Sequence, residues 1–422
     1  MNSFPPKEIL CHAFNKTPYY RELFKRHNID INSINSKEEY RKIPFLTKQI
    51  IQQEKHNLLE SDYSDEESRK SLIIQRTSGS TGKILKTYWK KNDSIRSLYY
   101  LWNIRRRYNI LPNDKLLSFH SAIYHKDKVI KPKLYMFNHG NHLSLCKMNL
   151  TDEIITQFHS EIEAFQPKWI MAQPSTVYLF SQFFKKNKLP VYDSLRYIEL
   201  TGEYLSNSIR AEISDIFKVP ISNQYGCMEA NSIACECSKG QLHVMTKNVY
   251  IEIMNNEMPA EEGETGEIII SCLTNSVMPI IRYKIGDKGK LIHQHGCSCG
   301  NTNPIIELKT GRIGENIYIK GKAPISSFLF HYITENININ YNNCILHFHV
   351  TQENDKDFTV RLVLTDDTPQ LRQKVEELFR AEIIEQGLGS MKWIFMFCKD
   401  IVTNKISGKL QFFTNKYKET IE

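Results

Sequence analysis

Apolar and polar positions follow three rhythms along this chain. From the N-terminus to about residue 70 the apolar spacing is mainly helical, punctuated by Pro18, Pro44 and Asn/Asp/Ser clusters. Ser71–Arg76 (SLIIQR) then predicts a short buried strand, and Tyr88-Trp89 fall on a second strand-like piece. Beyond a helical stretch over Ser94–Tyr108, short apolar runs alternate with helical periods. Strands are predicted around Leu116, Leu117 and Phe119, at Trp169–Met171 and at Leu195–Leu200. Helices are predicted over Thr151–Phe165, Ser175–Phe184 and Ser206–Phe217. Repeated strand–helix units of this kind predict α/β layers around a largely parallel sheet.

The rhythm changes at Val249. Tyr250–Met254, Glu267–Ser271 and Lys290–Ile292 read as short strands joined by acidic, glycine-containing turns, which makes a β-rich subdomain. The last hundred or so residues carry strands at Leu346–Val350, Phe358–Leu364 and Trp393–Phe397 and an amphipathic helix at Pro369–Glu382, the order of a small α+β domain. The expected division is residues 1–312 and 313–422, with the boundary near Gly311–Glu315.

Composition narrows the class. A chain of 422 residues exceeds one ordinary core, so two or three are expected. Apolar residues at 41% and charged residues at 24% are globular values that argue against disorder or a fibre. A net charge of +8 over this length favours anionic small molecules without the basic runs of a nucleic-acid platform. The opening MNSFPPKEILCHAF lacks a basic start and apolar core, so no secretory signal is expected. The most apolar stretch, near Ile268–Ile281, is interrupted by Thr274, Asn275, Ser276 and Pro279, so no membrane span is expected. A cytoplasmic location follows as the expectation. The ten cysteines include two Cys-x-Cys pairs, which points to metal or thiol chemistry rather than disulfides.

One segment suggests a reaction. Thr77-Ser78-Gly79-Ser80-Thr81-Gly82-Lys83 has two glycines that let backbone approach a ligand, four hydroxyls and a terminal cation. Its spacing is not that of a Walker loop, because Thr77 stands where that motif needs glycine. The segment resembles the phosphate loop of the acyl-adenylate-forming superfamily. Further segments resemble that superfamily's signatures in the same order. Leu200-Thr201-Gly202-Glu203 is similar to the loop beneath the adenine, and Asn223–Glu229 (NQYGCME) to the adenine and magnesium motif. Arg282–Asp287 (RYKIGD) is similar to the ribose segment, Gly311-Arg312 to the start of the hinge, and Asn404–Lys409 (NKISGK) to the C-terminal motif.

The resemblance implies a large N-terminal α/β domain with layered mixed sheets and a β-rich subdomain, followed by a small mobile α+β domain that rotates between half-reactions. It implies that Tyr225 and Gly226 flank adenine, that Glu229 helps hold Mg²⁺ and that Asp287 bonds the ribose. Arg312 then stands near ribose or phosphate, and Lys409 bridges the acid carboxylate and the ATP α-phosphate. Thr17–Tyr20 and Ile43–Lys48 are similar to the phenylacetate-CoA ligase branch, which includes capsule-biosynthesis relatives. Cys235, Cys237, His243, Cys297 and Cys299 supply five soft donors where tetrahedral zinc needs four. A Cys-x-Cys pair on an extended strand would point both sulfurs to one face. By resemblance the structural Zn²⁺ site is Cys237, His243, Cys297 and Cys299, with Cys235 spare.

The expected chemistry is ATP-dependent activation of a small carboxylic acid, aryl by family default, to acyl-AMP with pyrophosphate release. Transfer to a thiol follows. CoA is the first choice, with a carrier-protein phosphopantetheine or an amine as alternatives; a zinc-containing nucleic-acid-binding module is the alternative of another class. Ser118, His120 and Tyr124 fall where the family often builds its acyl pocket. Three departures stand out: Met228 replaces a usual hydroxyl residue, Gly314 replaces the hinge aspartate, and Gly321–Pro324 is a compressed loop. The reading leaves a homodimer open.

Overall fold

The strand–helix alternation after Leu116 is realised as a parallel sheet. In the computed structural model, strand Leu116–His120 pairs in parallel with His142–Cys146 on one side and Trp169–Ala172 on the other. Trp169–Ala172 pairs in parallel with Tyr197–Thr201, and Met136–Asn138 adds an antiparallel edge. The structure describes residues 7–76, 85–120, 123–125, 128–130, 136–147, 150, 152–293, 297–309, 316–320, 325–327, 329–342, 344–399 and 411–417. The chain divides into two compact units, Met1–Pro112 with Ser222–Lys309, and Asn113–Ile221 with Thr310–Glu422.

In the unit that holds the parallel strands, side-chain period two sorts the residues by face. Leu117, Leu143, Leu145, Ile170, Ile198 and Leu200 bury against Phe158, Ile162, Phe180 and Ile213 of the helices Asp152–Phe165, Pro174–Asn187 and Asn207–Phe217. Each fully buried side chain of this size stabilises by roughly 1.5–3 kcal/mol. Pro174 starts its helix where a missing N–H costs nothing, and the Ser206 hydroxyl accepts from Ile209 N at 3.2 Å to cap the next. The intervening residues of the same strands, Ser118, His120, His142 and Ser144, take the other face.

The C-terminal segment of this unit has its own core. Ile345–Gln352 and Asp357–Leu364 form an antiparallel pair, flanked in parallel by Phe413–Asn415 and Lys392–Phe397. Helices Leu329–Asn340 and Pro369–Glu385 cover it through Phe330, Ile333, Val375 and Phe379, and Phe358 stacks on Trp393 at 4.5 Å.

The other unit is antiparallel, as its short alternating strands predict. Its strands lie in the order Met258–Pro259, Val249–Asn255, Gly266–Cys272, Tyr283–Ile292, Ile305–Lys309, Leu242–Val244, Asn231–Glu236 and Ile221–Cys227. The N-terminal helices pack on it through Leu10, Tyr20, Phe24 and Tyr40. Among the described residues, with the two cores of the first-described unit, this makes the three that the chain length allows, besides a small cluster at Leu101, Cys235 and Met245. Among the described residues no helix is long and apolar enough to cross a membrane.

Two local expectations need correction. Ile73–Arg76 is a strand, but it pairs only with Lys86–Trp89 in a two-stranded ribbon, and Ile73 and Ile74 are each 39% exposed. The buried apolar residues of this ribbon are Tyr88 and Trp89 on the partner strand, while Ile73 and Ile74 stay partly exposed, so the predicted burial of Ile73–Arg76 is not met. The strand expected at Lys290–Ile292 is the end of a ten-residue strand, Tyr283–Ile292, which takes in Asp287.

Arg282 locks the N-terminal helices to this sheet. It is buried with a left-handed backbone (φ 49°). Its guanidinium donates to Glu252 Oε2 at 3.0 Å and Oε1 at 3.3 Å, and to the carbonyls of Arg41 and Ile43. Phe45 lies against it, 4.3 Å from ring centre to guanidinium carbon. Arg282→Ala would leave the buried Glu252 carboxylate with only the longer Arg41 ion pair at 3.6 Å and would strip the donor from two carbonyls. Loss of about 3–5 kcal/mol is expected, read as a lower urea midpoint with an unchanged slope.

Candidate functional site

The segment Asn223–Glu229 runs down strand Ile221–Cys227 into a turn that returns as Asn231–Glu236. The register shifts between Tyr225 and Gly226. A Cβ on Gly226 would stand 2.1 Å from the Asn231 carbonyl oxygen, so backbone approaches backbone there and only glycine fits. The turn also gathers the ribbon that flanks residues 77–84. Gln75 Nε2 donates to Asn231 Oδ1 at 3.0 Å, and the Thr87 hydroxyl and Trp89 indole N–H both donate to the Met228 carbonyl. Met228 therefore works through its backbone while its side chain is 45% exposed.

Asp287 is aimed by a bulge. Glu267 faces Lys288 and Ile269 faces Lys284, so residues 285–287 crowd opposite Ile268, with Gly286 at φ +88°. The Tyr225 hydroxyl donates to Asp287 Oδ2 at 2.8 Å. A second bond runs in the opposite sense: the buried Tyr283 hydroxyl donates to Oε1 of buried Glu229 at 2.9 Å. Each segment thus lends a tyrosine to the other's carboxylate. A neutral donor steadies a carboxylate without neutralising it, which leaves its charge available to a ligand. Burial first, then the Glu229 charge, push the Cys227 thiol well up, so Cys227 stays protonated beside it. Sequence reading named both carboxylates and missed Tyr283 as a partner, although it adjoins Arg282 in the quoted segment.

In the other unit, Gly202 turns the chain at the carboxyl end of Tyr197–Thr201 with φ +84°. Glu203 Oε2 accepts from Ser175 N at 3.1 Å, in the first turn of helix Pro174–Asn187, where a negative charge suits the helix dipole. On strands Leu116–His120 and His142–Cys146 a polar chain forms. Ser118 Oγ lies 2.7 Å from His142 Nε2 and donates to Ser144 Oγ at 3.1 Å, and Ser144 Oγ lies 3.0 Å from His120 Nδ1. Burial lowers the pKa of both histidines, helped at His142 by His139, so the rings are neutral at pH 7. Sequence reading found Ser118 and His120. His142 and Ser144 were readable as the polar half of an alternating strand, HLSLC.

A third cluster lies apart from the carboxylates. The donor atoms of Cys237, His243, Cys297 and Cys299 all lie within 4.8 Å of one another. Cys237 Sγ is 3.5 Å from Cys297 Sγ, and Cys299 Sγ is 3.4 Å from His243 Nε2. His243 Nδ1 points to the Asn303 carbonyl at 3.0 Å, which leaves Nε2 for the thiols. Backbone N–H groups of Lys239 and Asn301 donate to Cys237 and Cys299. The Cys-x-Cys pairs are not extended strands as predicted. Strand Asn231–Glu236 ends before Cys237, and Cys297–Gly300 is a turn. Cys235 stays behind in the strand, buried beside Ser222.

Thr77–Lys83, Arg312, Gly314, Gly321–Pro324 and Lys409 lie outside the described residues, as does the side chain of Tyr124.

A protein-family model described as "AMP-binding enzyme" matches residues 22–279, more than half of the chain. The chain belongs to this AMP-binding enzyme family. Its relatives among known proteins are phenylacetate-CoA ligases and CapK, consistent with the phenylacetate-CoA ligase-like branch of the adenylate-forming superfamily. Protein CapK of Staphylococcus aureus is 21% identical over 86% of this chain and 77% of its own length. A phenylacetate-coenzyme A ligase of Thermus thermophilus is 23% identical over 75% and 70%, and one of Escherichia coli 25% over 75% and 71%. The crystal structure of a 2-hydroxyisobutyryl-CoA ligase in the postadenylation state covers 98% of this chain with 88% of its own, with a TM-score of 0.73 at 14% identity. That likeness establishes the fold of this AMP-binding enzyme as mixed α/β with a large multi-stranded sheet.

Proposed function

We propose that this enzyme activates a carboxylic acid with ATP, forming acyl-AMP and pyrophosphate, and then passes the acyl group to a thiol, with CoA as first choice. The observation that carries the reading is the crossed pair Tyr225–Asp287 and Tyr283–Glu229 in one unit. It brings together two segments, 58 positions apart by their carboxylates (287 − 229), that both resemble nucleotide-binding signatures. The names of the relatives support CoA as acceptor and an aryl acid as substrate. CapK keeps a carrier-protein or amine acceptor in view.

The proposed roles follow the chemistry. Two anions, carboxylate and triphosphate, must meet, so catalysis is positioning and charge neutralisation. Asp287 accepts from ribose hydroxyls, and Tyr225 and Gly226 flank the adenine with Gly202 and Glu203. Thr77–Lys83 hold phosphates, Arg312 stands near ribose or phosphate, and Lys409 joins carboxylate to α-phosphate. Glu229 offers the hard oxygen that Mg²⁺ prefers, and the ion supplies charge neutralisation for departing pyrophosphate. The small domain, residues 313–422, moves between half-reactions.

The thiol cluster suits structural zinc. Tetrahedral Zn–S bonds of about 2.3 Å place two sulfurs roughly 3.8 Å apart, close to the observed 3.5 Å. The His243–Asn303 bond supplies the outer partner that orients a ligating imidazole.

The test is acid-dependent pyrophosphate release screened across aryl, fatty and amino acids, with CoA and a phosphopantetheinyl carrier protein then offered side by side. Absence of acid-dependent release would overturn the reading. Tyr283→Phe should raise the Mg²⁺ concentration for half-maximal nucleotide binding by about tenfold, because a bond to a charged group contributes roughly 1.5–3 kcal/mol. Calorimetric titration of ATP at stepped Mg²⁺ checks this, and an unchanged Mg²⁺ dependence would separate Tyr283 from Glu229's role.

A further inference from the structure

The polar chain on the parallel strands has a direction and an open end. Ser118 gives its proton to Ser144, so it takes one from His142 Nε2–H. Ser144 accepts from Ser118, and among the described residues the one acceptor in reach of its own proton is His120 Nδ1, so that proton is assigned there. By that assignment His120 is the Nε2–H tautomer, and among the described residues that buried nitrogen has no hydrogen-bond partner. A buried donor at the end of a satisfied chain is costly unless something accepts from it.

Its position says what that something belongs to. His120 is the last residue of its strand, and Gly202 directly follows strand Tyr197–Thr201, with only Trp169–Ala172 between the two. Two strand spacings make roughly 10 Å. Ligands of open α/β sheets bind at the carboxyl ends of parallel strands, and both residues stand at that edge. An acid whose carboxylate reacts near Gly202 would reach His120 with its far end. Phe137, 5.3 Å from the His120 ring, adds an apolar wall.

Resting on the adenylation reading above, we propose that the substrate's acyl part carries an oxygen beyond its carboxylate, a hydroxyl or carbonyl that accepts from His120 Nε2. His120 is the residue that selects oxygenated acids over bare hydrocarbon acids, and Ser144, Ser118 and His142 position it.

The experiment is pyrophosphate release by the full-length enzyme with acids matched in carbon skeleton: phenylacetate against each ring-hydroxylated phenylacetate, and propionate against lactate. The oxygenated member of at least one pair should be favoured by about tenfold or more in kcat/KM. His120→Leu should bring that ratio close to one. His120→Gln, which keeps a donor, should retain the preference and so separates selection from folding. Acids activated with no such preference, or a ratio unmoved in His120→Leu, would overturn this inference alone. No release with any acid, while AMP still binds in a calorimeter, would overturn it together with the adenylation reading.

Discussion

Stripping zinc from the protein with a strong chelator should lower its melting temperature by on the order of 10 °C or more, and Cys237→Ser should do the same without chelator. Structural zinc contributes roughly 10 kcal/mol or more to folding, comparable with the whole stability of an ordinary domain. At about 2–4 °C per kcal/mol for a domain of this size, even part of that loss is large. The geometry explains the sensitivity. Cys237 leaves strand Asn231–Glu236, His243 sits on Leu242–Val244, and Cys297 and Cys299 form a turn before Ile305–Lys309. With zinc bound as proposed, three successive pieces of the antiparallel sheet would depend on one ion. Cys235→Ser is the control. Cys235 is also buried and two residues away, but it lies outside the donor cluster, so its effect should be much smaller. Elemental analysis of freshly purified protein must also find zinc. Equal loss in the two serine variants, or no zinc, would remove the assignment.

Lys409→Ala should reduce acid-dependent pyrophosphate release by roughly 100- to 1,000-fold, the usual effect of removing one group that meets developing charge. In the proposed roles Lys409 alone joins the two anions that must approach. The melting temperature should hold, because lysine side chains are seldom fully buried in cores. A further split is expected: thioester formation from supplied acyl-AMP and CoA should survive better than adenylation, since the two anions are by then one molecule. Normal pyrophosphate release in this variant would end the assignment.

Much of the scaffold was legible because local pattern and tertiary environment agree. Trp169–Ala172 and Tyr197–Thr201 are short apolar runs bounded by turns, and the helices that follow them carry Pro174 and Ser206 at their starts. Strand Tyr283–Ile292 was under-read because Lys284, Asp287 and Lys288 break the apolar pattern. Its neighbours Gly266–Cys272 and Ile305–Lys309 hold it extended by main-chain bonds, which no side-chain pattern records. The exposed ribbon Ile73–Arg76 failed in the other direction. Its apolar letters imply burial, yet Ile73 and Ile74 are each 39% exposed.

By itself the sequence determined the residue types and their order: a hydroxyl-rich glycine loop, two carboxylate-bearing segments, a terminal lysine motif and clustered soft donors. Those are local facts of chemistry, and they were enough for the superfamily. Only the tertiary structure decided pairing. It set Tyr225 against Asp287 and Tyr283 against Glu229, chose Cys237 over Cys235, and ended a hydrogen-bond chain at His120. Each choice depends on strand register and on where a strand stops. One residue of slip turns a side chain to the opposite face, and register is fixed by contacts distant in sequence.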